Sequence, residues 1–413
     1  MKPTGPIPPD FTWRDGELLI GGRTADDWIG ITGDTPLFVY DIAIVRNRVA
    51  RFRAAFPGIS LHYAVKANPH PPLVRAMTAL VDGLDVASEG EARVALAAGA
   101  DPGRISFAGP GKRDRELSAA IEAGITINLE SAGEAERALA IGRGLGRTPR
   151  LAVRLNPDFE LKGSGMKMGG GAKPFGIDAD QAVPVIRRII GEGADYRGLH
   201  IFAGSQALDA AAISEAQISA IALAARISEQ AAALPPRVNL GGGMGIRYFA
   251  SDPPLDERRI GEALADALSV RPDILSGTEF TIELGRWLVG EAGVYLSRIV
   301  DRKISHGETF LVVDGGLHHQ LAASGNFGTV VRRNYPISLT KIGRSTKLML
   351  VSVVGCLCTP LDRLGDHVEL PDAQVGDAVA LFLAGAYGAS ASPQSFLGHP
   401  PPMEITIDGT EIL

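Results

Sequence analysis

The sequence predicts an α/β barrel of eight strand-then-helix units followed by an all-β domain. Between residues 60 and 290, short apolar runs alternate with longer stretches rich in alanine and glutamate, which favour helix. This regular alternation is typical of a (β/α)8, or TIM, barrel. After residue 290 the apolar runs follow one another without long helical stretches between them, which indicates a β domain.

Eight apolar runs supply the predicted barrel strands: "SLHYAV", "GLDVAS", "RISFA", "ITINLE", "RLAVRL", "RGLHIFA", "RVNLGG" and "FTIELG". The helical stretches between them include "GEARVALAAGA", "RELSAAIEAG" and "AGEAERALAIG". An open doubly wound sheet is the alternative, but it requires a reversal of strand order that nothing in the sequence indicates.

We expect three segments along the chain. Residues 1–35 are short and rich in proline and glycine, and they are expected to join the β domain because chain ends often lie together. Residues 36–290 form the predicted barrel and residues 291–413 the β domain. Within the barrel, the glycine-rich stretch 160–178 follows the fifth strand and predicts either a long loop over the C-terminal face or a plain surface excursion.

The composition excludes several classes of protein. With 413 residues, 45% hydrophobic content and a net charge of −6, the chain is typical of a soluble globular protein without a nucleic-acid-binding surface. No apolar run approaches the length of a membrane span, and the N-terminus lacks a signal-peptide core. Cys356 and Cys358 are too close for an ordinary disulfide and too few for a zinc site, which indicates a cytosolic protein with reduced thiols and no metal.

The chemically active side chains fall at the predicted strand ends, which meet at one face of a barrel. Lys66 ends the first strand, Gly241–Gly243 follow the seventh, and Glu283 and Arg286 end the eighth. Loops after strands seven and eight commonly bind phosphate in such barrels. A lysine that forms a Schiff base, beside a phosphate site and a carboxylate for a pyridine nitrogen, suits pyridoxal phosphate.

Each of these features also has an ordinary explanation. Lys66 taken alone fits a surface lysine that reaches solvent from a strand end. The glycine triplet fits a plain turn, and Glu283 with Arg286 fits an ion pair. Their joint position at the strand ends favours the functional interpretation.

The order of several motifs resembles a known family. "YAVKAN", "DVASEGE", "HIFAGSQ", "NLGGG", "ELGR", "GCLCTPLD" and "GAYG" occur as in the fold-type III pyridoxal-phosphate decarboxylases, the ornithine/diaminopimelate/arginine decarboxylase group. This resemblance implies an alanine-racemase-like barrel and a C-terminal β-sandwich or β-barrel domain. "FELKGSGMKMGGGAKPFGID" and "GGLHHQLAASGNFG" are similar to the exosortase-system-associated branch and to the branch that decarboxylates glutamate on an acyl-carrier protein.

The resemblance assigns roles to individual residues. Lys66 carries the cofactor, and Glu283 meets its pyridine nitrogen. The other implied cofactor contacts are Asp85, Arg154, Phe202, Ser205, Gly241, Gly242, Gly243, Arg286 and Tyr387. Cys358 matches the catalytic cysteine that the partner subunit supplies to reprotonate Cα, which implies a homodimer with composite active sites. Without the resemblance, an inert buried thiol is the ordinary explanation for Cys358.

Two departures from the family pattern concern the substrate. Phe202 occupies the place where the family has a histidine over the cofactor ring, so stacking remains and any proton role is lost. Thr359 follows Cys358 where the enzymes for free diamino acids have an acidic residue for the distal amine. The predicted function is therefore decarboxylation of the α-carboxylate of an amino acid without a distal cation, either free or on an acyl-carrier protein.

The candidate substrate contacts are His318, Arg332, Arg333, Thr359 and Asp362. The pair His318–His319 has no third metal ligand at useful spacing, which favours substrate contact or hydrogen bonding. Three alternatives remain: a decarboxylase of free diaminopimelate or ornithine, an amino-acid racemase on the same barrel, and a pyridoxal-phosphate carrier without catalysis. The β domain disfavours the last.

Overall fold

The protein divides into two compact units. The structure is a computed structural model that describes residues 2–325, 333–343 and 347–413. Arg48–Gly245 and Pro254–Trp287 form the barrel unit. The residues up to Asn47, together with Ile246–Pro253 and Leu288–Leu413, form the β unit.

The barrel unit contains a closed sheet of eight parallel strands, as the sequence predicts. The strands are β1 (Ser60–Ala64), β2 (Gly83–Val86), β3 (Ile105–Phe107), β4 (Thr126–Leu129), β5 (Arg150–Asn156), β6 (Asp195–Ile201), β7 (Arg237–Asn239) and β8 (Glu279–Leu284). Each strand pairs with the next along the chain, and β8 pairs with β1 to close the circle. The (β/α)8 prediction is confirmed, and the open-sheet alternative is wrong.

A helix follows every barrel strand. In order, they are Pro71–Leu80, Glu89–Ala97, Asp114–Ala123, Ala132–Leu145, Ala179–Gly191, Ala210–Ala231, Glu257–Ser269 and the short Arg286–Val289. Serine hydroxyls cap two of them: Ser88 Oγ accepts from Glu91 N, and Ser131 Oγ accepts from Glu134 N, both at 3.1 Å. Such caps satisfy amide groups that the first helical turn leaves without partners, so the helices begin directly after the strand ends.

Helix Ala210–Ala231 is long and apolar enough, by length and composition alone, to cross a membrane. It connects β6 to β7 within the barrel unit, and 56% of its most apolar window is buried inside the structure. It packs against the neighbouring helices Ala179–Gly191 and Glu257–Ser269, and this burial accounts for its apolar character.

The long segment after β5 returns to the barrel rather than leaving it. Met166–Lys167 pairs antiparallel with Gly204–Ser205, which lies just after β6. Ile177–Asp178 then pairs parallel with the end of β5. The segment is thus anchored at the C-terminal ends of two strands, where a loop over the active face is expected.

The β unit consists mainly of sheet, as predicted. Its strands are Thr12–Arg14, Glu17–Ile20, Arg23–Thr24, Leu37–Asp41, Gly293–Ser305, Glu308–Val313, Ile337–Leu339, Leu348–Val354, Arg363–Pro371, Ala378–Phe382, Met403–Asp408 and Glu411–Ile412. Helix Ala25–Thr32 and the start of helix Ile42–Ala55 also belong to it. The long strand Gly293–Ser305 pairs antiparallel with three neighbours, among them Leu37–Asp41.

The boundary at residue 35 differs from the division that the structure gives. Leu37–Asp41 is wholly buried and pairs with Gly293–Ser305 and with Met403–Asp408. These partners lie hundreds of residues away in the sequence. The apolar run Leu37–Asp41 comes shortly before the first barrel strand, and no local signal indicated that it pairs elsewhere. The β unit therefore includes this strand.

Candidate active site

Lys66 projects from the C-terminal end of β1. It lies in a single 3₁₀ turn, Val65–Ala67, in which both flanking residues are buried and the lysine side chain is exposed. The turn is closed by a hydrogen bond from Asn68 N to Val65 O at 3.0 Å. Lys66 Nζ lies 5.2 Å from the ring centroid of Phe202, which follows β6. The amine is therefore presented at the face where the strands end, over an aromatic ring.

Glu283 is a buried carboxylate near the end of β8. His200 Nε2 lies 3.0 Å from its Oε2, and Asn239 Nδ2 donates to the same oxygen at 3.1 Å. Burial alone would raise the pKa of Glu283, but His200, Lys66 and Arg154 together hold that pKa below its ordinary value. Glu283 is therefore an anion, close enough to Lys66 and Arg154 to interact with their charges.

Arg154 is held in place by a second buried carboxylate, Glu130. Arg154 NH1 donates to Glu130 Oε1 at 2.7 Å, and the same oxygen accepts from Gly109 N at 2.6 Å. Glu130 Oε2 accepts from Gly176 N at 2.7 Å. Although burial raises the pKa of Glu130, the Arg154 charge and these amides lower it overall. One carboxylate thus joins β4, β5, the loop after β3 and the end of the glycine-rich segment.

Gly241–Gly243 form a turn that has no room for side chains. A Cβ at Gly242 would lie 1.9 Å from the Glu283 carbonyl oxygen, and one at Gly241 would lie 2.6 Å from Ile201 O. Gly241 and Gly243 also have φ values of +70° and +88°, which favour glycine. Asn239 Oδ1 accepts from Gly241 N at 2.8 Å and fixes the start of the turn.

The glycine turn lies next to the segment after β6. Ala207 N donates to Gly243 O at 2.8 Å, which brings the two loops together two residues beyond Ser205. Arg286 begins the helix that follows β8, three residues after Glu283. The hydroxyl of Ser205 after β6, the backbone of the glycine turn after β7 and the guanidinium of Arg286 after β8 therefore lie at the same end of the barrel.

Asp85 is buried among other polar side chains of the barrel strands. It is 7% exposed and accepts a short hydrogen bond from Ser106 Oγ. His62 Nδ1 lies 3.3 Å from Asp85 Oδ2, and Asn128 Nδ2 donates to Ser106 Oγ at 3.1 Å. Asp85 thus belongs to a polar layer across β1 to β4, and its contact with the cofactor stays a prediction.

Comparison with known proteins identifies the family to which this arrangement belongs. Residues 42–290 match the model of the pyridoxal-binding domain of pyridoxal-dependent decarboxylases. The chain belongs to the pyridoxal-dependent decarboxylases. The decarboxylase is 35% identical over 381 residues to the L-glutamyl-[BtrI acyl-carrier protein] decarboxylase of Niallia circulans, covering 90% of this chain and 88% of that protein.

Other relatives of the decarboxylase are named for a free amino acid, diaminopimelate. It is 32% identical to the diaminopimelate decarboxylase of Aquifex aeolicus, over 93% of this chain and 89% of that one. The crystal structure of diaminopimelate decarboxylase from M. jannaschii with L-lysine superposes with a TM-score of 0.88 at 26% identity, covering 98% and 94% of the chains. The protein is thus a pyridoxal-phosphate-dependent carboxy-lyase that acts on the α-carboxylate of an amino acid. The family match favours neither a racemase nor a non-catalytic carrier.

The barrel face of the decarboxylase fits pyridoxal phosphate. The turn after β7 consists of three glycines, so no side chain covers its backbone and a phosphate could approach it closely. Lys66 supplies an amine, and the ionised Glu283 supplies a partner for a protonated ring nitrogen. These residues would hold the cofactor as the sequence predicts, although each individual contact stays a prediction.

The remaining candidates lie in the β unit. Cys358 is exposed, Tyr387 is half-buried with a φ of +54°, and Thr359 Oγ1 accepts from Leu361 N at 3.4 Å. The exposed Arg333 has its guanidinium 5.0 Å from the Phe249 ring centroid. Arg332 lies outside the described residues.

His318 and Asp362 are two candidate substrate contacts of the β unit that are buried. His318 is 0% exposed and Asp362 is 3% exposed. Both Asp362 oxygens accept backbone amide hydrogens, Oδ1 from Leu317 N at 2.6 Å and Oδ2 from Leu357 N at 2.9 Å. The Asp362 carboxylate thus holds two loops, and its contact with substrate stays a prediction.

The sequence analysis missed His200, Asn239 and Glu130. The register of the barrel strands places His200 of β6 between Arg154 of β5 and Asn239 of β7. A single histidine in an apolar strand gave a weak signal, and only the alternation of inward and outward positions along "LHIFA" pointed to it. Glu130 gave none, because a glutamate at a strand end normally lies in solvent.

Proposed function

We propose that this decarboxylase acts on an L-glutamate unit carried on an acyl-carrier protein. The observation that carries the proposal is the residue after Cys358. A free diamino acid presents a distal ammonium that needs a carboxylate partner, whereas Thr359 is neutral and its hydroxyl oxygen accepts a backbone hydrogen bond. The similarity to a decarboxylase of L-glutamyl-acyl-carrier protein supports the same substrate class.

The chemistry of the reaction fixes how the carrier would be attached. The α-carboxylate must be free to leave as CO2, and the α-amine must be free to join the cofactor. The thioester to the carrier therefore has to be made through the side-chain carboxyl group. This linkage also removes the side-chain charge, so the substrate brings no distal ion for the enzyme to bind.

The residues of the barrel face would have different roles in binding the cofactor and in the reaction. Lys66 would hold the cofactor through its amine, while Ser205, Gly241–Gly243 and Arg286 would hold its phosphate. When bound, pyridoxal phosphate supplies the electron sink that accepts the electron pair left as CO2 departs. Glu283 would keep a proton on the ring nitrogen of the bound cofactor, because an ionised, buried carboxylate stabilises a positive partner. Phe202 offers an apolar face for packing and no proton.

Cys358 would return the proton to Cα after CO2 has left, and its thiol would become a thiolate in that step. By the family resemblance this cysteine comes from the partner subunit. We therefore also propose a homodimer with composite active sites and a cytoplasmic location, where thiols stay reduced.

Mass spectrometry of candidate substrates tests the proposal. Side-chain-linked glutamyl-acyl-carrier protein should lose the mass of CO2, whereas free glutamate, ornithine and diaminopimelate should stay intact. Lys66→Ala serves as the inactive control. Turnover of free diaminopimelate at ordinary enzymatic rates would overturn the carrier-linked substrate and favour the second candidate, a diaminopimelate decarboxylase, which the Aquifex aeolicus relative supports.

A further inference from the structure

Three side chains of metal-binding type meet in the β unit, from segments far apart in sequence. They are His318, Cys356 and His399, which we call the His–Cys–His cluster. One ligand atom of each lies within 4.8 Å of those of the other two. Cys356 Sγ lies 3.9 Å from His399 Nδ1 and 4.0 Å from Nε2, and the rings of His318 and His399 have centroids 5.2 Å apart.

His318 is the residue that points to a ligand. It is 0% exposed, and neither ring nitrogen has a hydrogen-bond partner within the described parts of the chain. A buried imidazole without partners is costly, so its nitrogens need an explanation. The adjacent His319 makes the contrast clear: its Nδ1 lies 3.0 Å from Tyr295 OH and its Nε2 lies 2.9 Å from Pro400 O.

The segments that carry the cluster are fixed by hydrogen bonds next to each member. Asp362 accepts from Leu317 N and Leu357 N, which are the neighbours of His318 and Cys356. His319 contacts the carbonyl of Pro400, the neighbour of His399. A Cβ at Gly316 or Gly355 would lie only 2.4 Å or 2.2 Å from an Asp362 oxygen, so the loops close around this carboxylate. These contacts hold the backbone next to each of the three side chains.

We propose that the His–Cys–His cluster is a zinc site of the β unit. One thiolate and two imidazoles form a borderline-soft set that suits Zn²⁺, with a fourth position for water. Zinc bonds of about 2.0–2.3 Å would bring the ligand atoms a little closer together than the separations given above, so binding requires a small contraction. On binding, the Cys356 S–H bond breaks, an S–Zn bond forms, and the proton passes to solvent.

The site would act on the loop that carries Cys358. Cys356 lies two residues before Cys358, and Asp362 holds the backbone between them at Leu357. A metal bound to Cys356 would therefore restrict this loop to one conformation. The zinc ion would take no chemical part in the decarboxylation, and its binding does not depend on which substrate the enzyme uses.

Metal analysis of the holoenzyme tests the site. After dialysis against a chelator and reconstitution with Zn²⁺, wild type should retain about one zinc ion per chain. Cys356→Ser and His399→Gln should each weaken zinc binding at least about tenfold. The matched control is Cys358→Ser, which removes the exposed thiol two positions away and should retain zinc like wild type.

A spectrum of the Co²⁺-substituted holoenzyme gives a second readout. Tetrahedral Co²⁺ with a thiolate ligand should give ligand-field bands at longer wavelength than the cofactor band, and Cys356→Ser should lose them. If Cys356→Ser folds poorly, His399→Gln answers the same question through the zinc-induced rise in melting temperature. Absence of zinc from reconstituted wild type, or equal zinc content in wild type and His399→Gln, would overturn the proposal.

Discussion

Glu283 is a carboxylate that stays ionised although it is almost wholly buried. His200, Lys66 and Arg154 lower its pKa enough to outweigh burial. We expect Glu283→Gln to reduce kcat by about 100-fold or more, since a neutral amide cannot stabilise a protonated ring nitrogen. Steady-state decarboxylation assays measure this effect.

The matched control for that substitution is Glu279→Gln on the same strand. Glu279 is exposed and pairs with Arg237 at the surface, at 3.0 Å. It should leave kcat unchanged, because surface ion pairs contribute little and Glu279 lies at the opposite end of β8. Equal kcat values for Glu283→Gln and wild type would exclude the role given to Glu283.

Glu130 is the positioning residue on which Arg154 depends. In Glu130→Gln the buried Arg154 keeps its charge and loses its ionised partner, so the free energy of unfolding should fall by about 3–5 kcal/mol at neutral pH. Urea denaturation measures the change. Glu136→Gln is the control, because Glu136 pairs with Arg188 in solvent and should have little effect.

The stability difference between wild type and Glu130→Gln should also depend on pH, in a direction that can be predicted. The folded-state pKa of Glu130 is lowered, so its stabilising effect is complete above its unfolded pKa and is lost as pH falls through the folded value. The stability difference between wild type and Glu130→Gln should therefore shrink under acid conditions. A difference that stays constant or grows as pH falls would contradict an ionised Glu130.

At the scale of elements, the turn after β7 depends on close approach of backbones. Gly242→Ala would place a Cβ 1.9 Å from the Glu283 carbonyl oxygen and displace the end of β8. We expect a loss of roughly 1–3 kcal/mol in stability together with faster loss of cofactor on dialysis. Thermal unfolding and cofactor content per chain are the measurements.

Gly277→Ala is the matched control for the turn, since a Cβ there meets nothing within 4 Å. Gly277 lies just before β8, so the substitution adds a methyl group next to the same strand without a steric clash. Equal cofactor retention in the two variants would show that the turn tolerates side chains and is not a phosphate cradle.

The sequence predicts the parts of the structure that depend on residues close together in the chain, and it misses those that depend on residues far apart. The eight barrel strands could be predicted because alternating apolar residues and helix-forming stretches are local signals. Lys66, the glycine turn and Glu283 could be placed together because all parallel strands of a barrel end at one face. Leu37–Asp41 could not be assigned to the β unit, since its partners lie at residues 293–296 and 403–407.

The buried polar contacts illustrate the same limit at the site. His200 lies between Arg154 and Asn239 only through the register of three strands, and the sequence specifies no register. His318 and His399 are 81 residues apart, and the spacing rule that excludes a metal site considers only short separations. The hydrogen bonds that Asp362 accepts from Leu317 N and Leu357 N could not be predicted either, because no local pattern in the sequence indicates them.

At the scale of the whole molecule, the predicted composite site makes two inactive variants able to rescue each other. If the partner supplies Cys358, then Lys66→Ala and Cys358→Ala homodimers each have two defective sites. After dissociation and reassociation of an equal mixture, half the dimers are mixed, and each mixed dimer has one site with both residues intact. About a quarter of wild-type activity should therefore return.

The control for this experiment is the same mixture without the dissociation step, which should stay inactive. Size-exclusion chromatography of wild type should give a dimer whose decarboxylase activity falls on dilution below the dissociation constant. If both variants form dimers and exchange subunits, yet no activity returns, then Lys66 and Cys358 of one chain serve the same site. A monomer with full activity would lead to the same conclusion, because a single chain would then contain every group that the reaction requires.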